Sequence, residues 1–181
     1  MGITPIMDFA KEHYGANADD FLAAFPASTD EQSVRSADDF TTDGFIATGA
    51  WRWAEAQSKT GQAPVYRYRF DRPAPSDPLH PAGKYAFHST ELEYVFGTLD
   101  SKPRDYQRED RALSEHLGDY WVNFARTGDP NGDTLPSWPA YGRDKIVHHL
   151  DAVLSSRPLA SRARLELLDE IYESGMPAQD G

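Results

Sequence analysis

His88 stands in the stretch Gly83-Lys84-Tyr85-Ala86-Phe87-His88-Ser89-Thr90-Glu91-Leu92-Glu93-Tyr94-Val95-Phe96-Gly97. An imidazole can give and take a proton near neutral pH. Glu91, three residues on, could share a helix face with it and suggests a metal pair. Two ligands do not make a site, and no Cys or His cluster nearby completes one, so an ion-pair or hydrogen-bonding role suits Glu91 better. His148-His149-Leu150-Asp151 is a second place where a metal could bind, set against the plainer reading of an exposed strand or turn. Asp129, Asn131 and Asp133 imitate the start of a calcium loop. Thr134 occupies the sixth position, where glycine is required, and Ala140 the twelfth, where glutamate is required. That segment reads as a helix stop and a turn, and no metal or cofactor is expected.

A histidine acting as a base needs something to deprotonate. The chain has no Gly-x-Ser-x-Gly and no Gly-Gly pair, hence neither a nucleophile elbow nor a glycine-rich oxyanion loop. It has no cysteine, which removes a thiol nucleophile, disulfides and thiolate metal sites. Net charge is -11, from 29 acids against 18 bases. That sign repels a phosphodiester backbone, and no basic stripe interleaved with aromatics offsets it, so nucleic acid is not an expected partner. Hydrophobic residues make up 39% of the chain and aromatics 12%, enough for a globular core. No run approaches the roughly 20 apolar residues of a membrane span. The first residues lack the basic and apolar regions of a secretory signal. Met1-Gly2 fails as a myristoylation motif because Ile6 replaces the hydroxyl residue. Localisation stays open.

The elements that must position His88 follow from periodicity. The 181 residues fit one domain. Thr4-Pro5 reads as N-cap and first turn of a helix stopping near Tyr14-Gly15. Residues 18–25 form a second short helix ended by Pro26. Ser36-Ala37-Asp38-Asp39 is expected to start a longer helix with Phe45, Gly49, Trp53 and Ala56 on its apolar face and Gly61 as its stop. Residues 65–70 alternate, placing Tyr66, Tyr68 and Phe70 on one side of a strand. The proline-rich residues 73–81 force irregular backbone, so His88 lies on the long connection after that strand. Residues 105–126 predict a long helix with Leu113, Leu117, Tyr120, Trp121 and Phe124 facing the core. Trp138 is expected to be core as well. Residues 159–173 predict a last helix on Ala160, Ala163, Leu167, Leu168 and Ile171, and 175–181 a frayed tail. One convincing strand cannot satisfy its own backbone groups, so its partners are weaker strands or lie elsewhere.

Four ordered motifs resemble type-B carboxylesterases and cholinesterases, a para-nitrobenzyl esterase-like family. They are Val-Tyr-x-Tyr-x-Phe at Val65, the His-x-x-Glu-Leu-x-Tyr-Val-Phe-Gly segment at His88, Trp-x-x-Phe-Ala-x-Thr-Gly-Asp-Pro-Asn at Trp121, and Leu-Pro-x-Trp-Pro-x-Tyr at Leu135. The resemblance implies an α/β class, the C-terminal part of an α/β-hydrolase fold, helix-rich with few strands. The whole of 1–181 would be one C-terminal segment of that domain. It matches His88 to the catalytic histidine, the general acid/base of a serine esterase, whose second ring nitrogen donates to an orienting carboxylate. The serine, the triad acid and the oxyanion hole would lie upstream of Met1, leaving the stretch inactive alone. Departures are Ser89, where the family favours Gly or Ala, and Arg67 and Arg69 on the strand. Asp43 matches a structural acid of the family, with Arg162 or Arg164 as its partner.

Two functions follow. One is the C-terminal portion of a carboxylic-ester hydrolase that meets its ester substrate only when completed by the N-terminal part. The other is a non-catalytic binding protein derived from the same fold. In either case missing strands would leave an open sheet edge and apolar surface, and self-association through that surface or the C-terminal helix is expected.

Overall fold

A computed structural model describes residues 3–78, 83 and 85–174. They fall into two compact units, Met1–Ala56 with Ala160–Gly181, and Gln57–Leu159. The expected frayed tail at 175–181 lies outside the described residues.

The first unit is helical. Helices α1 (Ile3–Tyr14), α2 (Ala18–Ala24) and α3 (Asp30–Thr42) are followed by a π-helical turn at Asp43–Ala47, by α4 (Thr48–Thr60), which crosses into the second unit, and by α7 (Arg162–Glu173). Gly15 ends α1 with φ +49, a conformation that glycine adopts at no steric cost. Ile6, Ala10, Ala18, Phe21, Phe25, Ala27 and Leu168 form one buried cluster. Phe40 packs edge-on against Phe21 at 5.2 Å and Phe25 at 5.5 Å. Two arginines tie the helices together. Arg52 of α4 binds Asp169 and, at 2.9 Å, Glu173 on α7. Arg164 of α7 donates to Asp43 at 2.7 Å and Asp39 at 3.0 Å. The choice left between Arg162 and Arg164 as partner of Asp43 thus falls on Arg164, while Arg162 pairs with Glu166 at 2.7 Å.

The second unit is built on a three-stranded sheet of β1 (Tyr68–Phe70), β2 (Ile146–Leu150) and β3 (Ser155–Pro158), in that order. β1 and β2 are parallel, with Tyr68 opposite His148 and Phe70 opposite Leu150, while β2 and β3 are antiparallel. Between β1 and β2 lie a short helix α5 (Leu92–Val95) and the long α6 (Arg108–Thr127), which ends at Gly128 with φ +78. Leu113 and Leu117 of α6 pack with Tyr94, Leu99 and Leu150 in the core of this unit. Among the described residues no further strand covers the outer edge of β1, and no helix is long and apolar enough to cross a membrane.

Several expectations from periodicity are corrected. α3 begins at Asp30 rather than near Ser36, because Thr29 caps it: its hydroxyl accepts from the Gln32 amide at 3.2 Å, and the Gln32 side chain accepts from the Ser28 amide at 3.0 Å. The expected apolar face at Phe45 and Trp53 is 80% and 77% exposed. Phe45, Gly49, Trp53 and Ala56 do lie on one side, but it is the exposed side, and Asp43, Trp51 and Ala54 are the buried residues. α7 starts at Arg162, since the Leu159 amide is used by the Lys145 carbonyl at 3.1 Å. Its buried face is Leu165, Leu168 and Ile171, while Ala160 and Ala163 are exposed. Trp138 is core as expected, but Phe124 is half exposed. The partner the sequence reading could not find for residues 65–70 is β2, which β3 flanks on its other side. The pairing also reaches past β1: the Tyr141 amide donates to Val65 O at 2.7 Å and the His148 amide to Arg67 O at 2.9 Å.

Asp43 is buried, so removing Arg164 takes an ion-pair partner from a carboxylate that water does not reach. Arg164→Met is expected to destabilise the chain by about 3 kcal/mol in urea unfolding. Arg162→Met, which opens an exposed i,i+4 pair, should cost at most about 1 kcal/mol. Equal losses in the two variants would rule out Arg164 as the tie.

Candidate functional site

His88 opens a tight turn that leads into α5 and points its ring to solvent. The turn is fixed from inside by Thr90, which is buried. Its hydroxyl accepts from the Phe87 amide at 3.1 Å and donates to the Phe87 carbonyl, which also takes the Thr90 amide at 3.1 Å. The Leu92 amide donates to Ser89 O at 3.3 Å. Ser89 is held at φ +68, a left-handed conformation costly for any residue with a Cβ. Glycine would sit there without strain, so the departure to serine carries a local cost.

The loop carrying His88 is anchored at several points. The Gly83 amide donates to Ala74 O at 2.8 Å and the Asp105 amide to Ser76 O at 3.1 Å. Arg104 donates to Pro75 O at 3.4 Å, lies 3.5 Å from Asp77 and sits 5.8 Å above the Phe87 ring. The deepest anchor is Asp110 in the first turn of α6, fully buried and still charged. Its Oδ1 accepts from Arg72 Nε at 2.7 Å and from the Tyr94 hydroxyl at 2.8 Å, and its Oδ2 from the Gln107 amide at 2.8 Å. Burial alone would raise this carboxyl. The bonds from Arg72, Gln107 and Tyr94 outweigh it and hold Asp110 below the usual carboxylate range. Burial, and then the bond to Asp110, push the Tyr94 phenol up. The Ser114 hydroxyl adds a second bond from α6, to Tyr94 O at 2.7 Å.

Among the described residues the structure brings no nucleophile or carboxylate into contact with His88. Among the described residues His88 makes no hydrogen bond or ion pair. Glu91 is half-buried, and its charge helps raise the Tyr68 phenol, behind burial as the larger cause. Among the described residues no group of three or more metal-binding side chains occurs. Asp129 serves as a turn former: its carboxylate accepts from the Asn131 amide at 2.9 Å and side chain at 2.7 Å. Asn131 in turn bonds the Trp138 backbone in both directions, at 2.9 and 2.7 Å.

His148 and His149 are neither an exposed strand nor a turn; they lie in β2, the buried central strand. Strand alternation sends them to opposite faces. His149 Nδ1 meets Asp71, which Arg69 also binds at 2.7 Å. His148 stacks on Trp138 at 5.0 Å, and its Nδ1 lies 2.8 Å from the Ser156 hydroxyl. Burial, with the neighbouring His149 second, pulls His148 down to about 4. The sequence reading missed Asp110, Asp71 and the role of Tyr94. The one available signal was an acid three residues after Gln107 at the head of an amphipathic helix, a capping pattern that says nothing of what else the acid holds.

With this geometry in hand, comparison with known proteins is decisive. The sequence model of the carboxylesterase family matches residues 7–164. The chain belongs to the carboxylesterase family. It is 34% identical to acetylcholinesterase of Gallus gallus over 168 residues, covering 88% of this chain and 20% of that protein. It is 43% identical to carboxylesterase 4A of Bos taurus over 88 residues, 49% of this chain and 16% of that protein. Among solved structures, a thermophilic PNB esterase superposes with a TM-score of 0.67 at 28% identity, over 90% of this chain and 32% of that one. A second PNB esterase structure gives 0.68 at 28% identity over 92% and 33%. The fold is therefore α/β, a portion of an α/β-hydrolase, rich in helix with a small sheet. The chain spans between a sixth and a third of the length of these relatives.

Two outcomes test the environments described. The unfolded chain binds a proton on His148 below about pH 6.5 that the folded chain refuses until about pH 4. Stability is therefore full above pH 6.5 and falls as pH drops toward 4. In urea unfolding across that window, His148→Gln should lose roughly one proton's worth of the slope; an unchanged slope would refute the assignment. Ser89→Gly should raise stability by about 1 kcal/mol through release of the left-handed strain. A loss on that substitution would mean that the Ser89 side chain supports the turn.

Proposed function

We propose that residues 1–181 form one C-terminal segment of a carboxylesterase-type domain, a serine hydrolase of carboxylic esters in which His88 is the general acid/base. The observation that carries this reading is the placement of His88. His88 is exposed and, among the described residues, without a hydrogen bond or ion pair, on a turn whose backbone is locked by buried groups on either side. A histidine with a structural task is normally bonded, as His148 and His149 are. His88 has both ring nitrogens available for a serine hydroxyl and an orienting carboxylate.

The chain supplies neither of those groups, so the stretch is inactive by itself, and no cofactor enters the reaction. A preceding part of the fold would add the nucleophile elbow, the acid and the oxyanion donors, which together provide most of the acceleration in such enzymes. The open edge of β1 is where a preceding strand would pair, and until it does the same edge favours self-association. The alternative reading, a non-catalytic binding protein derived from the esterase fold, would leave His88 without a task.

The deciding experiment follows hydrolysis of a p-nitrophenyl ester by the chain alone and after mixing with an N-terminal carboxylesterase part that contains the serine and the acid. No turnover is expected alone. Turnover on mixing should fall by at least a hundredfold in His88→Ala, within the range that general acid–base catalysis contributes. Full activity of the mixed His88→Ala variant would defeat the assignment.

A further inference from the structure

The loop that carries His88 leaves the sheet after Phe70 and comes back into the core at Tyr94. Its outgoing stem holds Arg72 and its returning stem holds Tyr94. Both bond the same oxygen of one carboxylate, Asp110 Oδ1, at 2.7 and 2.8 Å. The other oxygen is occupied by the Gln107 amide at the head of α6, which fixes where the carboxylate stands. Asp110 is fully buried, so water does not compete for these bonds. Side-chain groups facing this carboxylate come from the strand end (Arg72), the returning stem (Tyr94) and, beyond them, Asp151 at 3.8 Å from Arg72 and Tyr106 at 5.8 Å from the Tyr94 ring.

We propose that Asp110 is a positioning residue for His88: it clamps the two stems of the loop together and thereby fixes where the imidazole is presented. The role rests on the reading of His88 as the functional histidine, but the clamp is a separate physical claim. Closing a long, proline-rich loop costs chain entropy that grows only slowly with its length. A single buried three-way junction at its base is a direct way to restrict the remaining freedom. The turn's own bonds, from Thr90 and Leu92, set the local shape of the tip. They do not set where the tip stands relative to the sheet; the Arg72–Asp110–Tyr94 junction does so at the base of the loop, with the Asp105–Ser76 and Arg104–Pro75 bonds further along it. Ser114, which holds Tyr94 O from the same helix, keeps the returning stem on α6 when the phenol bond is lost. The clamp can therefore be weakened without unfolding its surroundings.

Tyr94→Phe removes one oxygen and keeps the ring that packs 5.1 Å from Phe70. The chain is labelled for NMR and three readouts are compared with wild type: the His88 ring signal, amide exchange at Thr90 and Leu92, and amide exchange at His148 in the sheet. In Tyr94→Phe and in Asp110→Asn the His88 signal should shift or broaden and the Thr90 and Leu92 amides should exchange at least tenfold faster. The His148 amide, bonded to Arg67 O, should keep its rate in Tyr94→Phe. Restoring a donor with Tyr94→His is expected to return part of the protection. An unchanged His88 signal in Tyr94→Phe would overturn the proposal, and so would an equal speeding of loop and sheet amides. Should Asp110→Asn fail to fold, the Tyr94→Phe comparison decides alone. None of these readouts depends on ester hydrolysis, so loss of the catalytic reading and loss of the clamp are distinguishable.

Discussion

The parallel pairing of β1 with β2 is the constraint on which the second unit depends. Parallel neighbours cannot be joined by a hairpin; the chain must leave one strand, travel back and re-enter at the same end. Here the return takes residues 71–145, and everything that presents His88 lies on it. α6 makes the long backward run, and its apolar stripe of Leu113 and Leu117 closes over Leu150 of β2. The loop after β1, the turn at His88 and α5 fill the distance between the strand end and the start of that helix. A shift of register between β1 and β2 would move the base of this loop and the core under α6 together, because Phe70 opposes Leu150 and also meets Tyr94.

Polar groups inside this frame are placed where they tie elements together. Asp110 joins a strand exit, a short helix and a long helix. Asp71 joins β1 to the His149 of β2, and Asn131 joins the end of α6 to the Trp138 segment. Arg164 does the same for α3, the π turn and α7 in the first unit. A buried charge is costly unless paired and hydrogen-bonded, so the contacts of Asp110 and Asp43, the two buried carboxylates among these, hold their arrangements most strictly. The net charge of -11 is carried elsewhere, largely on exposed positions. The protein thus separates charge that specifies structure from charge that keeps the surface hydrated.

What was legible in the sequence reflects how local each signal is. α6 could be read because its apolar residues recur at helical spacing and a Gly-Asp-Pro run stops it. β1 could be read because aromatics alternate. β3 could not, since Ser155-Ser156-Arg157-Pro158 is a polar edge strand whose only strand character is its partner. β2 was half legible: two adjacent histidines read as surface, while their burial depends on Ser156, Trp138 and Asp71, none of them adjacent in sequence. The α3 start is written in Thr29-Asp30-Glu31-Gln32, a capping pattern that competes in the sequence with Ser36-Ala37-Asp38-Asp39. The face at Phe45 and Trp53 keeps its common side but is exposed, because periodicity marks which residues share a face and not what covers it. At the site, the motif marked His88 through resemblance, whereas the Arg72–Asp110–Tyr94 junction spans three elements and leaves no local pattern.

The conformation of Ser89 bears on how tightly the turn at His88 is held. A residue with a Cβ at φ +68 persists only where its surroundings over-determine it. They do so here: Thr90 holds Phe87, the Leu92 amide holds Ser89 O, and Tyr94 is fixed from α6. A general base gains definition of its ring position, since productive geometry tolerates errors of only about 0.5 Å. The left-handed Ser89, the buried Thr90 hydroxyl beneath the turn and the exposed His88 above it thus belong to one locked arrangement, whatever His88 does there.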